Sequence, residues 1–247
     1  MRILTHNQIG THHANHNDDS VAVAELSDRH HLIAIVNGTD AGDKGYFTAA
    51  LIATLLEKIA GEFALKNFAE KSSPTTGELL RETMAMLLEE LNTLRSLLNL
   101  SQEALQLTAT VGVLDETERR AELVVIGSGM VSCDGETIEM SQYATPDYLG
   151  NHLNTEEFTS WWAGHDKRIS CENCLDLAIA SLGILTFEPF SHDPYKPVTE
   201  DEIITFLLTQ RNDGPVEQMF RRKIIYIEEK FGLLATDDVS VVRAFFL

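Results

Sequence analysis

The sequence predicts an α+β fold: a four-layer αββα sandwich in which two mostly antiparallel sheets stack face to face, with helices outside each. Three observations predict it. Short β-prone runs joined by polar turns occur near the start and in the middle of the chain, two blocks of amphipathic helix separate them, and a final strand follows the second block.

Val21 to Leu26 and His31 to Val36 form a hairpin across the polar Ser27-Asp28-Arg29-His30. From Phe47 the apolar residues Phe47, Leu51, Leu55, Ile59 and Phe63 recur at four-residue steps, which places them on one helix face. After the Ser72-Ser73-Pro74 break a second helix carries Leu79, Leu80, Met84, Leu87, Leu88, Leu91, Leu94 and Leu98. Both stripes are expected to face a core.

A meander follows. Leu105 to Leu114 and Ala121 to Ile126 are strands across a charged turn, and Met130 to Cys133 and Thr137 to Met140 are two more across Asp134-Gly135-Glu136. Glu156 to Gly164 reads as a short helix with Trp161 and Trp162, and Leu175 to Leu182 as a buried strand. Thr199-Glu200-Asp201-Glu202 is a capping box opening a helix through Leu208. Pro215 to Phe231 is a helix stopped by Gly232, and Val239 to Phe246 is the last strand.

The 247 residues, 44% of them hydrophobic, suffice to bury one substantial core, and no Pro/Gly/Ser-rich linker divides them; one domain spanning 1–247 is expected. No apolar run approaches the ~20 residues that cross a bilayer, and Met1-Arg2-Ile3-Leu4-Thr5-His6 is not a signal peptide, so a cytoplasmic protein without membrane contact is expected. Thirty-eight acidic against 19 basic residues give a net charge of −19, a field that repels nucleic-acid phosphates. Cys133, Cys171 and Cys174 are an odd number, fitting reduced thiols. Cys171-Glu172-Asn173-Cys174 has the spacing of half a zinc site, but the sequence offers no second pair to complete a tetrahedron.

Two fold families share the four-layer plan. N-terminal-nucleophile hydrolases need a Ser, Thr or Cys at the mature amino terminus, whereas Met1-Arg2 begins this chain, so that chemistry would require a cut, for example before Thr5. The other resemblance is carried by motifs in order: Gly10 through Asn17-Asp18-Asp19; Val36-Asn37-Gly38-Thr39-Asp40-Ala41 before the Phe47 helix; Thr108-Ala109-Thr110-Val111-Gly112-Val113; Gly127-Ser128-Gly129; Asp147-Tyr148-Leu149-Gly150-Asn151; Ala180-Ser181-Leu182-Gly183; and Asp237-Asp238-Val239-Ser240-Val241. In this series the chain resembles the metal-dependent serine/threonine protein phosphatases of the type 2C class.

That resemblance implies a two-metal hydrolase site, in which cations ~3.5–4 Å apart activate a bridging water. Two dications at ~4 Å repel by on the order of 16 kcal/mol at an effective dielectric of about 20, so a bridging carboxylate is the direct remedy. The family's bridging Asp aligns with Asn37, which supplies an oxygen but no charge, and a second ligand Asp aligns with Leu182, which cannot coordinate. Ser128 stands in the family's Gly-Asp-Ser or Gly-Asp-Gly turn. By transfer, Asp19, Asp237 and the Gly38 carbonyl remain as metal ligands, with Asp18, Asp40 and Asp238 as further candidates. His13 or Ala14 occupies the position of the phosphate-binding Arg, which removes bidentate capture.

Alternatives stand beside these roles. Asp18, Asp19, Asp237 and Asp238 lie at strand ends, where Asp is common as a turn former. His6, His12, His13 and His16 offer nitrogen ligands for a transition metal, although surface histidines on a mobile amino-terminal segment are the commoner case. Asp40 and Asp43 replace the lost bridge only by a loop shift.

The expected function is a phosphatase-like domain that has lost two-metal catalysis and works as a phosphoprotein-binding or regulatory module, its partner a phosphorylated protein, a kinase or a phosphatase. The alternative is an active Mg- or Mn-dependent phosphatase with a rearranged or single-metal site. A purely structural subunit is the third possibility.

Overall fold

A computed structural model describes residues 1–38, 45–70, 74–141, 147–153, 158–190, 197–211 and 216–246. The chain order is β1 (Arg2–Gln8), β2 (Asp19–Glu25), β3 (His30–Gly38), α1 (Gly45–Glu70), α2 (Thr76–Leu98), β4 (Leu107–Asp115), β5 (Arg120–Ile126), β6 (Gly129–Cys133) and β7 (Glu136–Met140). There follow α3 (Phe158–Gly164), β8 (Arg168–Cys171), β9 (Asp176–Ala180), β10 (Phe187–Pro189), α4 (Glu200–Leu208), α5 (Met219–Phe231), β11 (Leu233–Ala235) and β12 (Val239–Phe245).

Two five-stranded sheets result, with orders β1-β12-β9-β6-β7 and β2-β3-β4-β5-β8, and β10 and β11 make a separate ribbon. Every described pair is antiparallel. Because successive side chains on a strand point to opposite faces, each strand serves two layers. Ile33 and Ile35 of β3 enter the space between the sheets with Leu123, Val125, Val131, Leu177, Ile179, Val242 and Ala244. Their neighbours Leu32, Ala34 and Val36 face the other way, against Ile52, Leu56 and Ile59 of α1 and Leu80, Met84 and Leu87 of α2. On the other sheet, Ala178, Ala180, Val239 and Val241 pack outward on Ile203 and Leu207 of α4 and Phe220, Ile224 and Ile227 of α5. The predicted helix–sheet–sheet–helix layering is present, and the fold class is as the sequence predicts.

Helix ends are marked by local chemistry. Thr75 and Glu78 cap each other's backbone N–H groups at α2, and Thr199 and Glu202 do the same at α4, as the Thr199 motif predicts. Gly232, with φ of 64°, ends α5 in the left-handed conformation. The last carbonyls of α4 are met by buried cations: Lys223 Nζ donates to Leu207 O and Gln210 O, and Arg243 donates to Thr209 O and Gln210 O while holding both oxygens of Asp176.

Several elements differ from expectation. The amino-terminal segment, read as mobile, contributes β1, which pairs along its length with β12, Arg2 opposite Phe245 and Gln8 opposite Val239. The partner strand is the last in the chain, so local sequence carries no sign of it. β8 was not anticipated, because Arg168-Ile169-Ser170-Cys171 is short and mostly polar; it completes a sheet edge beside β5. The strand through Leu182 ends at Ala180, and Leu182 opens a 3₁₀ turn, Leu182–Leu185. Leu105 likewise belongs to a 3₁₀ turn before β4. Glu156 and Pro215 lie outside the described residues. The edge strand β7 is exposed almost throughout and carries Glu136 and Glu139. Among the described residues no helix is long and apolar enough to cross a membrane.

Candidate acidic site between the sheets

At one end of the sandwich the inward-facing positions turn from aliphatic to polar. Along β2 the inward series Val23, Val21 ends at Asp19, and along β3 Ile33, Ile35 ends at Asn37, its direct cross-strand partner. Thr108 of β4 stands opposite Asn37, with Thr110 two residues farther along the same strand. From the facing sheet come Ser181, just past β9, and Asp238 and Ser240 at the start of β12. The acids therefore come from both sheets and meet across the gap.

Asp19 is buried at 2% exposure, and among the described residues neither of its carboxylate oxygens has a hydrogen-bond partner. Burial raises its pKa to about 7; the nearby hydroxyls of Ser181 and Ser240 oppose the rise, and the charges of Asp238 and Asp237 add to it. The Ser181 hydroxyl is committed elsewhere, donating to Asp238 O and accepting from Ser240 N. An ionised carboxylate left in this state costs several kcal/mol unless a cation or a proton neutralises it.

Asp238 is the opposite case. Its Oδ1 accepts from Gly10 N at 2.7 Å, and its Oδ2 accepts from Asp18 N and lies 2.8 Å from His13 Nδ1. His13 Nε2 is 3.6 Å from Asp237 Oδ1, and Asp18 Oδ2 is 4.0 Å from His13 Nδ1. Partial burial disfavours the charged imidazole, but the hydrogen bond and charge of Asp238, with Asp237 and Asp18, outweigh it, and the His13 pKa is raised. His13 thus sits among the acids as a counter-charge. The sequence sets His13 or Ala14 at the family's phosphate-binding position, and here the His13 ring nitrogens face carboxylates.

Glycines bring the pieces together. A Cβ on Gly183 would lie 1.9 Å from Asp238 O, and one on Gly10 2.3 Å from the Asp237 carbonyl carbon, so only glycine lets these segments rest on the Asp237-Asp238 turn. Gly38 donates its N–H to Asp18 O and is packed against Gly45. Ser128 is half-buried in the turn between β5 and β6. Leu182 is half-buried and offers hydrocarbon. Asp40 and Asp43 lie outside the described residues.

The other histidines disperse. His6 faces Phe220 of α5, His16 stacks on Tyr46 at 3.9 Å, and His12 is exposed. Of the four, only His13 reaches the acids, with Asp237 and Asp238 offering ligand atoms within 4.8 Å of its own. The Asp147-to-Asn151 segment packs elsewhere: its Leu149 joins the α1–α2 core, and Gly150 rests on Leu105.

As a cation site the donors are uneven. Asp19 is an orphaned buried carboxylate suited to one hard cation, with Asp237 the accessible second acid, since Asp238 is already saturated by donors. Among the described residues, neutral Asn37 and apolar Leu182 add no charge to this set, so the donors described fall short of what a close pair of dications requires.

No family model matches the sequence, and no curated protein matches it either. The fold is nevertheless matched by solved structures. Serine/threonine phosphatase Stp1 from Staphylococcus aureus superposes with a TM-score of 0.61 at 12% identity, over 99% of this chain and 94% of that one. The PP2C phosphatase domain with a fragment of the regulatory domain of SpoIIE from Bacillus subtilis gives 0.57 at 16% identity, over 98% of this chain and 62% of that one. RsbX in complex with magnesium gives 0.50 at 13% identity, over 98% and 92%. The chain has the fold of the bacterial type 2C serine/threonine phosphatases.

Proposed function

We propose that this protein is a type 2C phosphatase-like module whose two-metal chemistry is lost and which acts by regulating a protein partner in phospho-signalling of the bacterial type, as a single domain of the cytoplasm. The observation that carries this is Asp19 facing Asn37 across β2 and β3: one charge stands where a metal pair needs several. His13, held by Asp238, fills part of the cleft with its own counter-charge. In the absence of metal the cluster of Asp18, Asp19, Asp237 and Asp238 outnumbers the single imidazole, so direct capture of a phosphate group is electrostatically unfavourable. That favours regulation of a kinase or phosphatase partner over simple phosphopeptide binding.

A second reading, a Mg- or Mn-dependent phosphatase using one ion, is favoured by the orphaned Asp19 carboxylate. A resident ion there would polarise a phosphoryl oxygen or a water. Asp19 and Asp237 would hold it.

Turnover of an aryl phosphate with excess Mn²⁺, run beside Asp19→Ala, decides between them. Background rates unaffected by the substitution support the regulatory module, whereas robust turnover abolished in Asp19→Ala would overturn it.

A further inference from the structure

The three cysteines, separated in sequence, converge at the other end of the sandwich from Asp19. Cys133 ends β6 in one sheet, Cys171 ends β8 in the other, and Cys174 lies in the connection that leads from β8 to β9. The Sγ atoms of Cys133 and Cys174 are 3.6 Å apart, and Cys171, also a side-chain neighbour of Cys133, stands just outside the set of ligand atoms within 4.8 Å of one another that Cys133, Asp134 and Cys174 form, within reach by a side-chain rotation. Asp134 brings a carboxylate oxygen to within 4.8 Å of the Cys133 and Cys174 sulfurs. Its Oδ1 accepts from Leu175 N and Asp176 N, both at 2.9 Å, which fixes the segment carrying Cys174.

Two thiolates bound to one tetrahedral zinc at ~2.3 Å each stand ~3.8 Å apart, close to the separation found. A disulfide would join only two of the three sulfurs and leave the third idle. We infer that Cys133, Cys171 and Cys174, with Asp134 or a water as fourth ligand, form a thiolate site for a single zinc-like cation that ties the two sheets together. Cys171 and Cys174 are buried while Cys133 is half-buried and Asp134 exposed, so the sulfurs are shielded and the carboxylate side faces solvent. Burial, and then the neighbouring Cys133, push the Cys171 and Cys174 thiols up. A thiol binds a metal as the thiolate, so an ion held by three sulfurs displaces three thiol protons. Sequence spacing alone shows half a site; β6 supplies the missing sulfur.

The test uses the reduced full chain with Zn²⁺, and with Co²⁺ as the spectroscopic probe. The expected result is one thiolate-bound ion per chain, counted by a thiolate-to-cobalt charge-transfer absorption, with release of three thiol protons and three thiols shielded from a disulfide reagent when zinc is present. Cys133→Ser should weaken binding more than about a hundredfold, since loss of an outer-shell partner alone costs 10- to 100-fold. Should Cys133→Ser not fold, Asp134→Asn retains the backbone contacts and is expected to weaken Co²⁺ binding about tenfold if Asp134 is the fourth ligand, while shielding of the parent's three thiols tests the sulfur site itself. Asp19→Ala should bind as the parent does. Three freely reactive thiols in folded, zinc-treated parent would overturn the inference. So would binding lost in Asp19→Ala, or a Cys133–Cys174 disulfide formed by chain that takes up no metal.

Discussion

The His13 imidazole lies 2.8 Å from the Asp238 carboxylate, which also accepts from the backbone of Gly10 and Asp18. One acid of the cleft therefore serves as the anchor of the amino-terminal loop. Because the folded pKa of His13 is raised, the stability this pair contributes is fully present below about pH 6.5, the unfolded value, and is lost as pH rises through the folded one. His13→Ala should cost about 1 kcal/mol at pH 6 and less at pH 9, as read by urea denaturation. An imidazole NMR titration that falls below the ordinary value would contradict this.

Asp19 has the opposite sign. Its folded pKa of about 7 means that the native chain keeps a proton which the unfolded chain releases, so parent stability falls as pH rises from about 4 to 7. In chelator, Asp19→Asn should be near neutral at pH 4 and stabilising at pH 8 by up to roughly 3–4 kcal/mol. A difference that does not vary with pH would mean that the carboxyl is solvated.

Restoring charge should restore affinity. Asn37→Asp with Leu182→Asp is expected to tighten Mn²⁺ binding at least about tenfold, and to lower stability in chelator because the added carboxylates lack partners. Calorimetry giving the same Mn²⁺ affinity for parent and double variant would argue that the cleft is no inherited cation site.

Arg243 is fully buried and holds both oxygens of Asp176 as well as two carbonyls at the end of α4. Arg243→Met should destabilise by about 3–5 kcal/mol, since Asp176 Oδ1 and Thr209 O lose their donor, while Asp176 Oδ2 keeps only Arg211 and Gln210 O only Lys223. Arg243→Lys should not rescue it, because an ammonium cannot reproduce the planar fork. Equal melting temperatures for parent and Arg243→Lys would refute this account.

What was legible in the sequence is what local chemistry writes. The apolar stripes of α1 from Leu51 to Phe63 and of α2 from Leu79 to Leu94, the Thr199–Glu202 box and the Gly232 stop each depend on residues within a few positions and are found in place, whereas Phe47 and Leu98, at the ends of the stripes, are exposed. Asp19 and Asn37 are singled out through the type 2C resemblance and not through local chemistry; the β2–β3 register then sets them opposite each other. What stayed hidden depends on distant pairing: β1 forms only against β12, and the Cys133–Cys174 contact spans two sheets' worth of chain. The pairing of His13 with Asp238 is hidden for a related reason, since the two lie 225 residues apart and are brought together where Gly10 and Gly183 rest on the Asp237-Asp238 turn.

The edge strand β7 presents Glu136 and Glu139 on an exposed ribbon that pairs with β6 on one side only. A second molecule docking there to extend the ladder would set carboxylates against carboxylates, a repulsion of the kind that keeps open sheet margins from templating fibrils. The charge that makes this chain acidic thus also guards the border at which it would otherwise polymerise.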